Sequence, residues 1–266
     1  MPAGEEIIVS DDMDIYAAWK FLIVVDSNSY VGVEIDKEAV DEGEQVTLSV
    51  VPDSGYVVKR VLLNGLTLET DSDGKYRFFA QSGPDGILLT IESGVDYSIY
   101  WGEGDGSSVE NPYIISDIDG MELLASEVSL GNRFVNKCFR LDEDLDYSCH
   151  VYSMIGGITR SGEKNGFGGY FDGNGHIITN ISSIQRGTEL EAGLFSTLEM
   201  QGCICNLTVS NSKFQGAFKR SCSIGAIVGV NEGLIKDCIV LDSVKVTEGR
   251  YVGHQRGFQA RLRPRR

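Results

Sequence analysis

Three segments in the second half of the chain share one frame, and that frame limits the fold more than any other feature. His176-Ile177-Ile178-Thr179-Asn180-Ile181, Cys203-Ile204-Cys205-Asn206-Leu207 and Leu234-Ile235-Lys236-Asp237-Cys238 each contain Ile-x-Asn/Asp-apolar. The polar position falls at 180, 206 and 237, offsets of 26 and 31 residues, within the range of solenoid periods. Ala192-Gly193-Leu194-Phe195 and Gly225-Ala226-Ile227-Val228-Gly229 repeat between them. In a parallel β-solenoid each strand bonds to the same strand of the coils above and below, so equivalent residues stack about 4.8 Å apart. Apolar residues then make a dry ladder, while Asn or Asp at a turn bonds nearby backbone amides. One coil cannot bury its own core, so coils must stack. The expectation is a turn ladder of Asn180, Asn206 and Asp237, with Ile181, Leu207 and Cys238 stacked inside it.

The rest of the chain also reads as short strands. Its 32 glycines are scattered and only 5 prolines accompany them, which excludes collagen and proline-rich linkers. A hydrophobic content of 42% allows a packed core, and 266 residues suit two domains. Glu44-Gln45-Val46-Thr47-Leu48-Ser49-Val50 alternates polar and apolar, the period of a half-buried strand. Pro52-Asp53-Ser54-Gly55-Tyr56 supplies a turn, and Val57 to Leu63 reads as a strand running into Asn64-Gly65, a strong hairpin signal. Tyr76 to Ala80 and Ile87 to Glu92 are further strands around Gly83-Pro84-Asp85-Gly86. One helix is expected near Asp119 to Val128, with Asp119 as N-cap and Glu122 completing a capping box. Met121, Leu124, Ala125 and Val128 share its apolar face, Gly131 closes it, and Phe134 to Leu141 reads as a strand.

Gly169-Tyr170-Phe171-Asp172-Gly173-Asn174-Gly175-His176-Ile177-Ile178, followed by Gly193-Leu194-Phe195, resembles a β-helix family of bacterial surface proteins. Ile227 to Cys238 is similar to the GLUG motif of that family, with Gly225-Ala226 where Gly-Gly is usual. This resemblance spans about 104–253 and implies a right-handed parallel β-helix (solenoid) with the helix at 119–128 as its N-terminal cap. Upstream, Gly43-Glu44-x-Val46-Thr47-Leu48, Pro52-x-x-Gly55-Tyr56 and Val58-x-x-Val61-x-x-Asn64-Gly65 resemble the divergent internalin B-type repeat. Asp12-Met13-Asp14-Ile15-Tyr16-Ala17-Ala18-Trp19 resembles the closing strand of a Listeria–Bacteroides repeat. The expected organisation is all-β. It runs from the end of a truncated repeat (1–20) through a small β-rich repeat domain (21–100) to a β-helix (101–253) and a basic tail (254–266).

The net charge is −16, although Arg250, Arg256, Arg261, Arg263, Arg265 and Arg266 crowd a C-terminus without acids. So acidic a body repels phosphate backbones, which argues against nucleic acid as a partner. No apolar run reaches the ~18 residues of a membrane helix, so membrane insertion is not expected. The start Met1-Pro2-Ala3-Gly4-Glu5-Glu6 lacks the basic opening of a secretory signal. Either the chain is cytoplasmic, or its export and anchoring segments lie in neighbouring parts of a longer chain, as the surface reading below expects. From about 254 the sequence is expected to be non-native or disordered, the alternative being a genuine basic tail for nucleic acid or anionic lipid. Codons for Gly253-His254-Gln255-Arg256-Gly257-Phe258 read in a shifted frame can spell Gly-Ile-Ser-Gly-Val, a fitting continuation of Tyr251-Val252.

Candidate chemistry is sparse. Asp142, Asp144 and Asp146 could face one side of a strand and offer oxygen to calcium, but EF-hand spacing is absent and a solvated acidic edge is the favoured reading. Asp172-Gly173-Asn174-Gly175-His176 reads as a tight turn rather than a catalyst. His150, His176 and His254 are too scattered for a metal centre. The six cysteines (138, 149, 203, 205, 222 and 238) lack zinc spacing and read as unpaired packing thiols, with Cys203 and Cys205 stacked within the coil. Asn180 and Asn206 spell glycosylation sequons but read as turn residues.

No catalytic, cofactor-binding or metal-ligating residue is assigned. The functional expectation is a non-catalytic bacterial cell-surface or secreted segment, acting in adhesion or ligand presentation toward a host or matrix glycan or protein. The alternative is an accessory or targeting segment of a larger secreted enzyme, an immunoglobulin A-type metallopeptidase or a polysaccharide lyase. A lyase would need clustered acids or bases on one face. The sparse basic residues of 104–248 (Arg133, Lys137, Arg140, Arg160, Lys164, Arg186, Lys213, Lys219, Arg220, Lys236 and Lys245) read instead as falling mostly in loops, without repeat register.

Overall fold

Alternating apolar residues and glycine turns build an all-β chain in the computed structural model, which describes residues 20–81, 86–158, 164–184, 191–215, 223–241 and 243–247. The expected Listeria–Bacteroides strand, Gly83-Pro84-Asp85, Cys222 and the tail from 254 lie outside the described residues. The chain divides into two compact units, Met1–Asp96 and Tyr97–Arg266, a little before the boundary at 100 expected from sequence.

The first unit is two sheets sharing one core. Ala39–Val40, Phe21–Ser27, Ile87–Val95, Tyr56–Leu63 and Leu66–Leu68 form one sheet in that order, and Val31–Ile35, Gln45–Pro52 and Tyr76–Phe79 form the other. Pairing is antiparallel except between Phe21–Ser27 and Ile87–Val95. The alternation at 45–48 works as expected: Val46 and Leu48 are buried between Gln45 and Thr47, and they pack with Phe78, Ile23, Val61 and Leu89. Asn64 and Gly65 both take positive φ, 47° and 83°, as a two-residue type I′ hairpin requires. Asn64 also ties this hairpin to the next strand, because its Oδ1 accepts from Leu88 N at 2.8 Å and its own N–H donates to Leu88 O.

In the second unit the strands pair in parallel, apart from Gly157–Ile158 with Lys164–Asn165. Tyr113–Ile115, Cys138–Leu141, Tyr170–Asp172, Cys203–Cys205 and Leu234–Lys236 form a five-stranded sheet in sequence order. Its register sets Tyr113, Phe139, Phe171, Ile204 and Ile235 in one row. A second sheet aligns Leu145, Ile178, Val209 and Val240, and a third joins Ser182–Ile184, Lys213–Gln215 and Lys245–Thr247. Phe195–Leu198 pairs with Val228–Asn231, and Glu191–Ala192 with Ser223–Ile224. The chain thus returns to each sheet at the neighbouring position, and inward rows meet in one core. Phe139, Phe167, Phe171, Phe195 and Phe214 are wholly buried there, each contributing about 1.5–3 kcal/mol of apolar burial.

The single turn ladder expected from sequence is two ladders. Asn206 follows Cys205 and Asp237 follows Lys236, which are register partners, and the matching position one strand earlier is Gly173 after Asp172. Asn180 follows Thr179, whose partner is Ser210, so Asn180 stands beside Asn211 at a different corner. The cause is local: the first corner carries glycine at 173, so the Ile-x-Asn frame matched the wrong corner of that circuit. Asn180, Asn206, Asn211 and Asp237 all hold positive φ (61°, 53°, 39° and 52°), a region that Asn and Asp enter more readily than other side chains. Ile181, Leu207 and Cys238 are buried as expected, but only Leu207 and Cys238 share a row, and Ile181 N donates to Ser212 Oγ instead.

The expected helix forms over Ile118–Ser129, with the expected face (Met121, Leu124, Ala125 and Val128) buried. Its cap differs. Asp117, in extended conformation, accepts from Gly120 N at 2.8 Å, whereas Asp119 lies in the first turn. Glu122 closes no capping box, because Tyr147 Oη and Ser153 N both donate to it at 3.1 Å. Gly131 (φ 105°) follows the last turn and donates to Val128 O. The strand expected from Phe134 begins only at Cys138, since Phe134 and Asn136 take positive φ. Among the described residues no helix is long and apolar enough to cross a membrane.

Candidate functional site

The structure separates the carboxylates that looked most like a calcium site. The strand there is only Leu145–Asp146, so Asp142, Asp144 and Asp146 do not share a strand face. Asp144 accepts from Ile177 N at 2.9 Å and lies 3.0 Å from His176 Nδ1, bonds that hold its carboxyl below the usual range. Asp146 accepts from Asn180 Nδ2 at 2.6 Å and Ser148 N at 2.9 Å, with the same effect. Both line an open hollow of about 310 Å³ with Asp117, Asp119 and His150, while Asp142 is not among its walls. Asp142, Asp144 and Asp146 are all exposed, as a solvated acidic edge implies, and Asp144 and Asp146 also bond neighbouring backbone and side chains. Among the described residues no group of three or more His, Cys, Asp or Glu is arranged to hold a metal ion.

Asp172–His176 is the tight turn its composition implies. Asn174 and Gly175 have φ of 52° and 83°, His176 N donates to Gly173 O, and Asn174 Nδ2 reaches Leu141 O at 3.1 Å. The sequon asparagines have their amides engaged in the ladders: Asn180 with Asp146 and Asn211, Asn206 with Asp172 Oδ1 at 2.9 Å. Of the basic residues read as loop positions, Arg140, Lys164, Lys213, Lys236 and Lys245 instead lie in strands, and Lys213 and Lys245 are register partners. Single-residue charge gave no clue to this, because their strands are only two to four residues long.

Cys203 and Cys205 flank the inward Ile204, so they face outward rather than stacking within the core row. Cys205 is nonetheless buried, with its Sγ 3.0 Å from Tyr170 Oη, and burial pushes its thiol up to about 11. Burial also raises Cys138, Cys203 and Cys238, while Cys149 is exposed. Because the thiolate is the reactive form, at pH 8 an alkylating reagent should label Cys149 at least about tenfold faster than Cys205 or Cys238. Timed peptide mass spectrometry reads this directly, and equal rates would contradict the burial.

The most built polar arrangement was not foreseen. Glu191 and Glu199, with side chains only 4% and 8% exposed, each hold a cation that is more than half exposed. Lys164 Nζ meets Glu191 Oε1 at 2.7 Å, and Thr197 Oγ1 donates to Glu191 Oε2 at 3.1 Å. Arg133 Nε donates to Glu199 Oε1 at 2.5 Å, while Glu199 Oε2 is buried with no partner among the described residues. Arg133, Lys164, Gly166, Thr197, Glu199, Met200, Gln201, Val230 and Glu232 line a cleft of about 370 Å³. Sequence offered no signal here, because the partners are 27 and 66 residues apart and no motif joins them.

No protein-family model matches the chain. A stretch of 145 residues is 32% identical to part of Halomucin from Haloquadratum walsbyi. It covers 52% of this chain but 2% of that protein, so the chain corresponds to a small piece of a much longer relative. Among solved structures, a Bacteroides ovatus protein provisionally described as an immunoglobulin A1 protease superposes with a TM-score of 0.40 and 19% identity. The match covers 58% of this chain and 47% of that one. At that score the likeness carries neither fold nor activity.

Proposed function

We propose that the chain is a non-catalytic segment of a cell-surface or secreted repeat protein, acting in adhesion or ligand presentation. In this reading the second unit is a right-handed parallel β-helix, with Ile118–Ser129 covering its N-terminal end and the GLUG-like runs forming its coils. The supporting observation is the continuous parallel register through Tyr113, Phe139, Phe171, Ile204 and Ile235. Such a register repeats outward positions at each ~4.8 Å step, making a long lateral face suited to a glycan or protein partner. The first unit, with its internalin B-like turns, serves as a spacer. Likeness to a piece of Halomucin, whose name marks it as mucin-like, favours the same placement.

Protease shaving of intact source cells, followed by peptide mass spectrometry, tests this. Peptides from 20–247 should be released while cytosolic marker proteins stay intact. Their recovery only after lysis, in the cytosolic fraction, would overturn the surface reading.

A further inference from the structure

We infer that the cleft beside Glu199 is a binding site for a neutral saccharide, a proposal that rests on reading the chain as a ligand-presenting segment. The argument starts from the two buried acids. Glu191 has a partner on each oxygen, Lys164 on one and Thr197 on the other. Glu199, on the cleft wall, has Arg133 on Oε1 and, among the described residues, nothing on Oε2. A buried acceptor without a donor is costly, and the cost is removed by a ligand that brings one.

The backbone is shaped around this carboxylate. A Cβ at residue 166 would lie 2.9 Å from Glu199 Cγ and 3.1 Å from Oε1, and one at residue 168 would lie 3.2 Å from Oε2. Glycine at both positions leaves the acid its space. Arg133, whose side chain is 55% exposed, is the solvent-facing partner of Glu199 and lines the cleft. A swing of Arg133 opens Oε2 to an incoming donor while the guanidinium remains available to an acceptor on the same ligand.

Charge selects the ligand class. Arg133 and Lys164 are balanced by Glu199 and Glu191, and Glu232 on the wall leaves the cleft acidic, which disfavours phosphate, sulfate and uronate groups. A simple cation would have to displace the arginine and lysine already bound. Adjacent sugar hydroxyls both donate and accept, so they can serve the carboxylate and guanidinium together. Met200 and Val230 give the C–H face of a sugar ring something apolar to cover. The cleft volume of about 370 Å³ lies within the ~300–1,000 Å³ of small-molecule sites.

The test is titration calorimetry of the full 266-residue chain with maltose, cellobiose, lactose and chitobiose, alongside an unsaturated hyaluronan disaccharide as the charged probe. At least one neutral sugar should bind. Glu199→Gln should weaken that sugar at least tenfold, while Glu143→Gln, at an exposed position outside the cleft, should change it less than threefold. Should Glu199→Gln fail to fold by circular dichroism, Gly168→Ala substitutes for it, placing a methyl beside Oε2 without altering charge, and should also abolish binding. Binding by none of the four sugars, binding only of the charged probe, or neutral binding indifferent to these variants would overturn the site. Those results leave the surface placement untouched, because shaving reads it independently.

Discussion

Trp101→Ala should lower the unfolding free energy of the second unit by about 3–5 kcal/mol, the range for truncating a fully buried large aromatic. Trp101 is wholly buried, and four rings surround it: Tyr97 at 4.6 Å between centroids, Tyr113 at 5.0 Å, Phe139 at 5.0 Å and Phe134 at 5.6 Å. It also links two elements, because its Nε1 donates to Gly120 O at 2.8 Å in the first turn of the helix. Removing it leaves a cavity and strips that carbonyl of its donor, and domains are typically stable by only about 5–15 kcal/mol. Trp101→Phe keeps much of the apolar volume and should recover more than half of the loss, leaving about 1 kcal/mol for the missing hydrogen bond. Urea unfolding followed by far-ultraviolet circular dichroism measures both. A loss under about 1 kcal/mol for alanine would mean that the aromatic cluster does not hold the helix to the sheets.

How much of this was legible in the sequence depends on the distance over which each cause acts. Alternation at Gln45–Leu48, the Asn64-Gly65 hairpin and the helical face Met121, Leu124, Ala125 and Val128 act within a few residues, and each appears where the pattern places it. The helix cap slipped by two residues because Asp117 and Asp119 are chemically equivalent caps. The choice was made by Gly120, which must pack beside Tyr100 O, where a Cβ would come within 2.9 Å. The ladder error has a similar origin: two different corners each carry an asparagine at positive φ, so Asn180 and Asn206 look alike although they turn different corners. The Glu199 cleft was invisible because its pairs span circuits of chain. Sequence shows one glutamate among many, and only the strand register brings Arg133 to it.

Gly233→Ala should be far more damaging than a methyl added at the open turn glycine Gly175, costing about 3 kcal/mol, the upper end of overpacking. The reason is steric rather than conformational, since Gly233 is not among the residues with positive φ. A Cβ at this position would lie 2.4 Å from both Glu199 O and Gly202 O, and these are backbone atoms that cannot rotate away. Nor can the two segments separate cheaply, because Glu232 N donates to Leu198 O at 2.9 Å and Leu234 N donates to Gly202 O at 3.0 Å on either side of the glycine. Gly175 is the matched control. Its φ of 83° strains any other residue, but nothing lies within 4 Å of its Cβ position, so Gly175→Ala should cost only about 1 kcal/mol. The order of the two urea midpoints decides the matter. If Gly175→Ala proved the worse of the two, Gly233 would not be pressed against the preceding turn, and the parallel register that joins Cys203–Cys205 to Leu234–Lys236 would be wrong.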